Sequence, residues 1–92
     1  MYYTTSSIYR ELATALVEAI GYREFFNGSV VVMDGEVECR LVCTVVVVHG
    51  TTIPTTIEKI IPVWWEMRTT DGSGPIDNDF SFGEMMESLP RE

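Results

Sequence analysis

The segment FFNGSVVVMDGEVECRLVCTVVVVH, residues 25 to 49, constrains the fold more than any other stretch. Asp34-Gly35 stands between two β-branched runs, a strong short-range signal for a β-hairpin closed by a two-residue type I′ turn. With Met33 and Glu36 flanking that turn, positions summing to 69 pair across the strands. Val32 then faces Val37, Val30 faces Cys39, Gly28 faces Leu41 and Phe26 faces Cys43, all on one apolar side. The other side pairs Met33 with Glu36, Val31 with Glu38 and Ser29 with Arg40. One apolar and one mixed side is the pattern of a sheet packed on a core through one face. The mixed side changes character further along, at Val42, Thr44, Val46 and Val48. A strand apolar on both sides is buried on both sides, so the second face needs a cover near residues 42 to 48.

The remaining elements are placed around this hairpin. In TTSSIYRELATALVEAIG, Ile8, Leu12, Leu16, Ala19 and Ile20 recur at three- and four-residue steps behind a run of N-cap residues. Gly21 suits the left-handed residue that follows a helix, so an amphipathic helix of about 14 residues is expected. GTTIPTT forms a loop, and IEKIIPVWWEMRTT a third strand. Alternation puts Ile61, Val63, Trp65 and Met67 on its core side and Ile60, Pro62, Trp64, Glu66 and Arg68 on the other. Pro62 has no N–H to donate, which marks an edge strand or a bulge.

TDGSGPID is turn-rich, and 71–79 is expected as a flexible acidic loop. Ser81 and Glu84 then form a capping box, Phe80 and Met85 a hydrophobic staple, and Pro90 a stop. This short helix has to dock through Phe82, Met85, Met86 and Leu89, because two turns are not stable alone. It is the expected roof over Trp64, Val46 and Val48. The fold class is therefore α+β in two layers: an N-terminal helix, a three-stranded antiparallel meander and a short C-terminal helix (α-β-β-β-α), one domain over residues 1–92.

Composition limits the function classes. Fourteen acids against six bases give a net charge of −8, and five of those eight negative charges lie from Asp71 onward. Such a surface repels nucleic-acid phosphates. No apolar run approaches the ~18 residues of a membrane helix, and MYYTTSSIYR has no basic region followed by an apolar stretch, so a cytoplasmic location without membrane contact is expected.

Catalytic and metal-binding patterns fail at their deciding positions. Cys39 and Cys43 share a strand face about 13 Å apart, too far for a disulfide or for one zinc ion, and act as core filler. His49 is the only histidine, at a strand end beside Gly50. No serine sits in a G-x-S-x-G elbow. DGSGP lacks the lysine and helix of a phosphate loop. DNDFSFGEMMES places Asp77, Asp79 and Ser81 like calcium ligands but has Phe82 where glycine is needed and Ser88 where glutamate is needed. Glu36 and Glu38 lie at a hairpin tip, and with Glu66 they form a solvated face rather than an acid–base pair.

No catalytic residue, cofactor or metal site is assigned. The expected function is a non-enzymatic protein-binding or accessory module. Its candidate partner contact is Trp64, Glu66 and Arg68, used toward a protein partner or a second copy through this face or an edge strand. The alternative is a small acidic inhibitor that mimics nucleic acid and blocks a basic site.

Overall fold

The computed structural model describes residues 1–50 and 56–89. The expected loop at 50–56, apart from its two end residues, and the Pro90 stop lie outside the described residues. The elements are α1 (Ser6–Ile20), β1 (Phe25–Asp34), β2 (Val37–His49), β3 (Ile57–Asp71), β4 (Gly74–Ile76) and α2 (Phe82–Glu87). Among the described residues the sheet has four antiparallel strands in the order β1-β2-β3-β4. The class is α+β, as expected, but the meander has four strands rather than three.

α1 begins where Thr5 accepts a 3.2 Å hydrogen bond from the Ile8 N–H through its hydroxyl. It ends at Gly21, whose N–H makes the last bond to the Val17 carbonyl and whose φ of +59° then turns the chain out of the helix. Ile8, Tyr9, Leu12, Ala13, Leu16 and Ile20 are buried against the sheet. The odd-numbered β2 residues Cys39, Leu41, Cys43, Val45 and Val47 meet them, together with Phe26, Val30 and Val32 of β1. Gly28 lies on the same side, where the Phe26 ring covers the space a side chain would take.

The hairpin register differs from the expected one. Asp34 pairs with Val37, Val32 with Cys39, Val30 with Leu41 and Gly28 with Cys43, so paired positions sum to 71. The turn is centred on Gly35-Glu36, and among the described residues only glycines have positive φ. A type I′ turn at Asp34-Gly35 would force the aspartate into the left-handed region. Sliding the turn by one residue needs positive φ at Gly35 alone, the requirement of type II′. Because the pairing shifts by two, every side chain keeps its face.

β3 departs from simple alternation. Cys43 pairs with Trp65 and Thr44 with Trp64, but Val45 pairs with Pro62, leaving Val63 as an extra residue. This bulge beside Pro62 inverts the faces of the strand's first half. Ile60 is buried, whereas Ile61 and Val63, expected in the core, are 40% and 65% exposed. Beyond the bulge, Trp65 and Met67 lie on the helix side as expected, with Thr69 beside them, although Trp65, expected in the core, stays exposed.

The segment 71–79, expected as a loop, contains β4. Asp71 accepts from the Ser73 N–H and hydroxyl at 2.8 and 2.6 Å, closing a tight turn back onto Thr69 and Thr70. Asn78 then donates to the Met67 carbonyl and the Thr69 hydroxyl, both at 3.1 Å, and accepts from the Phe80 N–H. The N-terminal residues close over this segment, with the Tyr2 N–H on the Asp77 carbonyl and the Asp79 N–H on the Tyr2 carbonyl.

α2 begins with half of the expected capping box: the Ser81 hydroxyl accepts from the Glu84 N–H, but the Ser81 N–H goes to Tyr9 rather than to the Glu84 side chain. Phe80 and Met85 are both buried. Its place is not the expected one. α2 packs beside α1 on the same side of the sheet, and the Ser81 N–H donates to the Tyr9 hydroxyl at 3.0 Å. α1 packs mainly over β1, which leaves the β3 half of the core face to be covered by Phe80, Phe82 and Met85. No helix among the described residues covers the opposite face.

Candidate functional site: the open sheet face

The face away from both helices is built in cross-strand rows. Phe25, Val46 and Ile61 make one, Asn27, Thr44 and Trp64 the next, and Ser29, Val42 and Glu66 a third. Val31, Arg40 and Arg68 follow, then Met33, Glu38 and Thr70, while Val48 and Lys59 extend the apolar end. Phe25, Val31, Met33, Val46, Val48, Ile61 and Trp64 are all exposed. Trp64 is half exposed, and its strand neighbour Thr44 is fixed by a 2.8 Å hydrogen bond to Asn27. Single exposed apolar residues are ordinary on a protein surface; here Phe25, Val46 and Ile61 form one exposed apolar row across three strands, with Trp64 and Val48 on either side of it.

Trp64, Glu66 and Arg68 are brought together on this face. The Arg68 guanidinium pairs with the Glu66 carboxylate, and the Arg40 guanidinium lies 3.4 Å from the Glu38 carboxylate. Exposed pairs of this kind contribute little to stability, about 0–1 kcal/mol. Their larger consequence is electrostatic. Strand positions on this face carry Lys59, Arg40 and Arg68 against Glu38 and Glu66, a net +1 on a chain whose total is −8. Three of the six bases therefore lie on the one broad face that lacks excess acid.

Phe25, Val31, Met33, Val46, Val48 and Ile61 join the three residues expected from sequence. The signal for the β2 members was the unbroken apolar character of Val42 to Val48 on both sides. A cover was expected there, and among the described residues none is found. Among the described residues, the outer edge of β3 is capped only at Thr69 to Asp71 by β4 and interrupted by the Val63 bulge, and no strand pairs with the outer edge of β1.

The residues considered for chemistry are placed in structural roles. Cys39 and Cys43 are free and buried, and burial raises both thiols, Cys43 up to about 11. Burial and the Asp34 carboxylate, 2.7 Å away, together raise the Tyr2 hydroxyl. The His49 Nε2 lies 2.7 Å from the Arg23 carbonyl, which can only accept, so Nε2 carries the proton. Its Nδ1 is buried and has no hydrogen-bond partner among the described residues.

Asp79 accepts from the Thr4 N–H at 2.7 Å, which holds its carboxyl below the usual range, and Ser81 caps α2. The calcium-like spacing thus resolves into backbone capping. Among the described residues no three of His, Cys, Asp and Glu gather as a metal site, and no helix is long and apolar enough to cross a membrane. A cleft of about 780 Å³ wraps the β3 edge between Trp65, Arg68, Ile76 and Phe80, but the Asn78 amide at its base is engaged in internal hydrogen bonds. Compared with known proteins, the chain matches no family model, no curated protein and no solved structure.

Proposed function

We propose that this chain is a non-enzymatic protein-binding module whose contact surface is the open sheet face centred on Trp64, Val46 and Ile61. The observation that carries the reading is the one-sided fold: both helices pack on the same side, and the other side presents the exposed apolar row Phe25, Val46 and Ile61 flanked by Trp64 and Val48. Trp64 supplies a large amphipathic anchor, and Glu66 and Arg68 a charged rim beside it, the composition that concentrates binding energy at interfaces. Two free thiols in the core fit a reducing, cytoplasmic setting.

The test is capture of a binding partner by immobilised wild-type chain and by a Trp64→Ala variant, each at low and high salt. The reading expects capture that survives high salt and is lost with Trp64→Ala. Capture that disappears in high salt and ignores Trp64→Ala points instead to an acidic inhibitor of a basic site.

A further inference from the structure

We infer that the occupant of the open face is a second copy of this chain, packed sheet to sheet about a two-fold axis running along β2. The inference rests on the proposed binding role of that face and specifies its partner. Charge is the first argument. Two chains of net −8 repel, and α1 and α2 add Glu11, Glu18, Glu84 and Glu87 on the helix layer. The open face, at net +1, is where two copies meet with least like-charge opposition. Sheets stacked face to face lie about 10 Å apart, and the helix layers then sit roughly 30 Å from each other. That distance is more than three Debye lengths at physiological ionic strength, about 8 Å each, so the outer acids are screened.

Self-complementarity is the second argument. A two-fold along β2 exchanges β1 and β3 while keeping each row opposite itself. Phe25 of one copy then meets Ile61 of the other, Val46 meets Val46, and Val42 and Val48 line the same axis. Asn27 faces Trp64, whose indole N–H can donate to an amide oxygen. Ser29 faces Glu66 as a donor to a carboxylate. Arg40 meets Arg40 and Glu38 meets Glu38 across the axis, and each lies one row from the opposite charge of the other copy, so the like charges are offset by a diagonal exchange of ion pairs. Area is the third argument: the face spans three long strands within a molecule whose largest dimensions are 47 and 23 Å, an upper bound that leaves room for the roughly 800 Å² per partner of a standard interface.

The experiment is sedimentation equilibrium of the full chain across micromolar concentrations, at low and high salt, with Val46→Lys and Ile61→Lys as variants. Both substituted positions are exposed, so circular dichroism melts should resemble wild type and show that the variants fold. A dimer is expected that tightens as salt rises, because screening relieves repulsion between two −8 chains. Each variant is expected to weaken it by about a hundredfold or more, since two unpaired lysines become buried on the axis or beside it. A monomer at all concentrations overturns the inference, as does a dimer indifferent to both variants, which would locate association on the β1 edge. If the chain is monomeric yet captures another protein through Trp64, the copy is the wrong occupant and the binding role stands. If neither association nor capture depends on this face, both fail.

Discussion

Trp65 meets Phe80 edge-on, with ring centroids 5.5 Å apart and planes at 70°, while the adjacent Trp64 points to the opposite side of the sheet. Trp65 also lies 6.0 Å from Phe82. The C-terminal segment therefore shields part of the second tryptophan of the pair and leaves the first half exposed on the other side. Trp65 stays 39% exposed despite these contacts, so its removal should cost less than a fully buried aromatic. Trp65→Ala is expected to lower stability by about 2–3 kcal/mol. Trp64→Ala should change it by less than about 1 kcal/mol in the monomer. Urea melts of the two variants, run at a concentration too low for self-association, check the order. Equal losses would mean that Trp64 is covered.

The contact between the helices is a hydrogen bond as well as packing, from the Ser81 N–H to the Tyr9 hydroxyl. Ser81→Ala removes the cap of α2 and should cost about 0.5–2 kcal/mol. Tyr9→Phe strands the Ser81 N–H and should cost about 1 kcal/mol by itself. Both should shift Trp65 emission to the red, because Phe80 and Phe82 loosen their hold on the indole. An emission spectrum unchanged in both variants would detach α2 from the Trp65 environment.

Much of this was legible from residue types at short range. The helix 6–20, the Ser81 cap of α2 and the sidedness of β1 and β2 each depend on spacing within a few residues, where local rules act, whereas the Glu84 half of the expected capping box gave way to Tyr9. What failed depended on choices made over longer distance. The turn moved by one residue because Asp34 avoids positive φ, a preference that local hairpin signals do not rank. The inversion at Ile60 and Ile61 follows from the Val63 bulge, which Pro62 signalled without fixing its position. β4 was hidden in a Gly- and Asp-rich stretch because the segment is held in place by contacts beyond its own span, Asn78 on Met67 and Thr69 and the far N-terminal Tyr2 on Asp77 and Asp79. Trp64, Glu66 and Arg68 were correctly grouped on one face. Their exposure turned on where α2 docks, and that is decided by Tyr9 and the uncovered half of the core.

The two core thiols make stability depend on alkaline pH. Burial raises both, with Cys43 at about 11, against roughly 8.5 in an unfolded chain. Between those values the unfolded state releases protons that the folded state retains, so folding weakens as pH rises. The thiols' contribution is fully present below about pH 8.5 and is lost as pH climbs toward 11. Cys43→Ala should flatten that alkaline decline in a pH series of urea melts, although it lowers stability at neutral pH. Native labelling at pH 8 should be slow at both cysteines and become fast on denaturation.

Val63 offers the sharpest test of the sheet. It stands between Trp64, paired with Thr44, and Pro62, paired with Val45, and has no partner of its own. Deleting it leaves those pairs in place and restores strict alternation, with Pro62 toward the helices and Trp64 toward the open face. Such a deletion should fold cooperatively with stability within about 2 kcal/mol of wild type, because no core residue changes side. Deleting Arg68 is the same loss of one residue with the opposite outcome. It lies between Met67 and the buried Thr69, both on the helix side of odd-numbered alternation, and its loss forces the strand to slip by one. Every side chain on one flank then changes face, and that chain should fail to melt cooperatively. Should the Val63 deletion unfold as completely as the Arg68 deletion, the bulge is not where the β2–β3 pairing places it, and the exposure of Ile61 on the open face loses its structural basis.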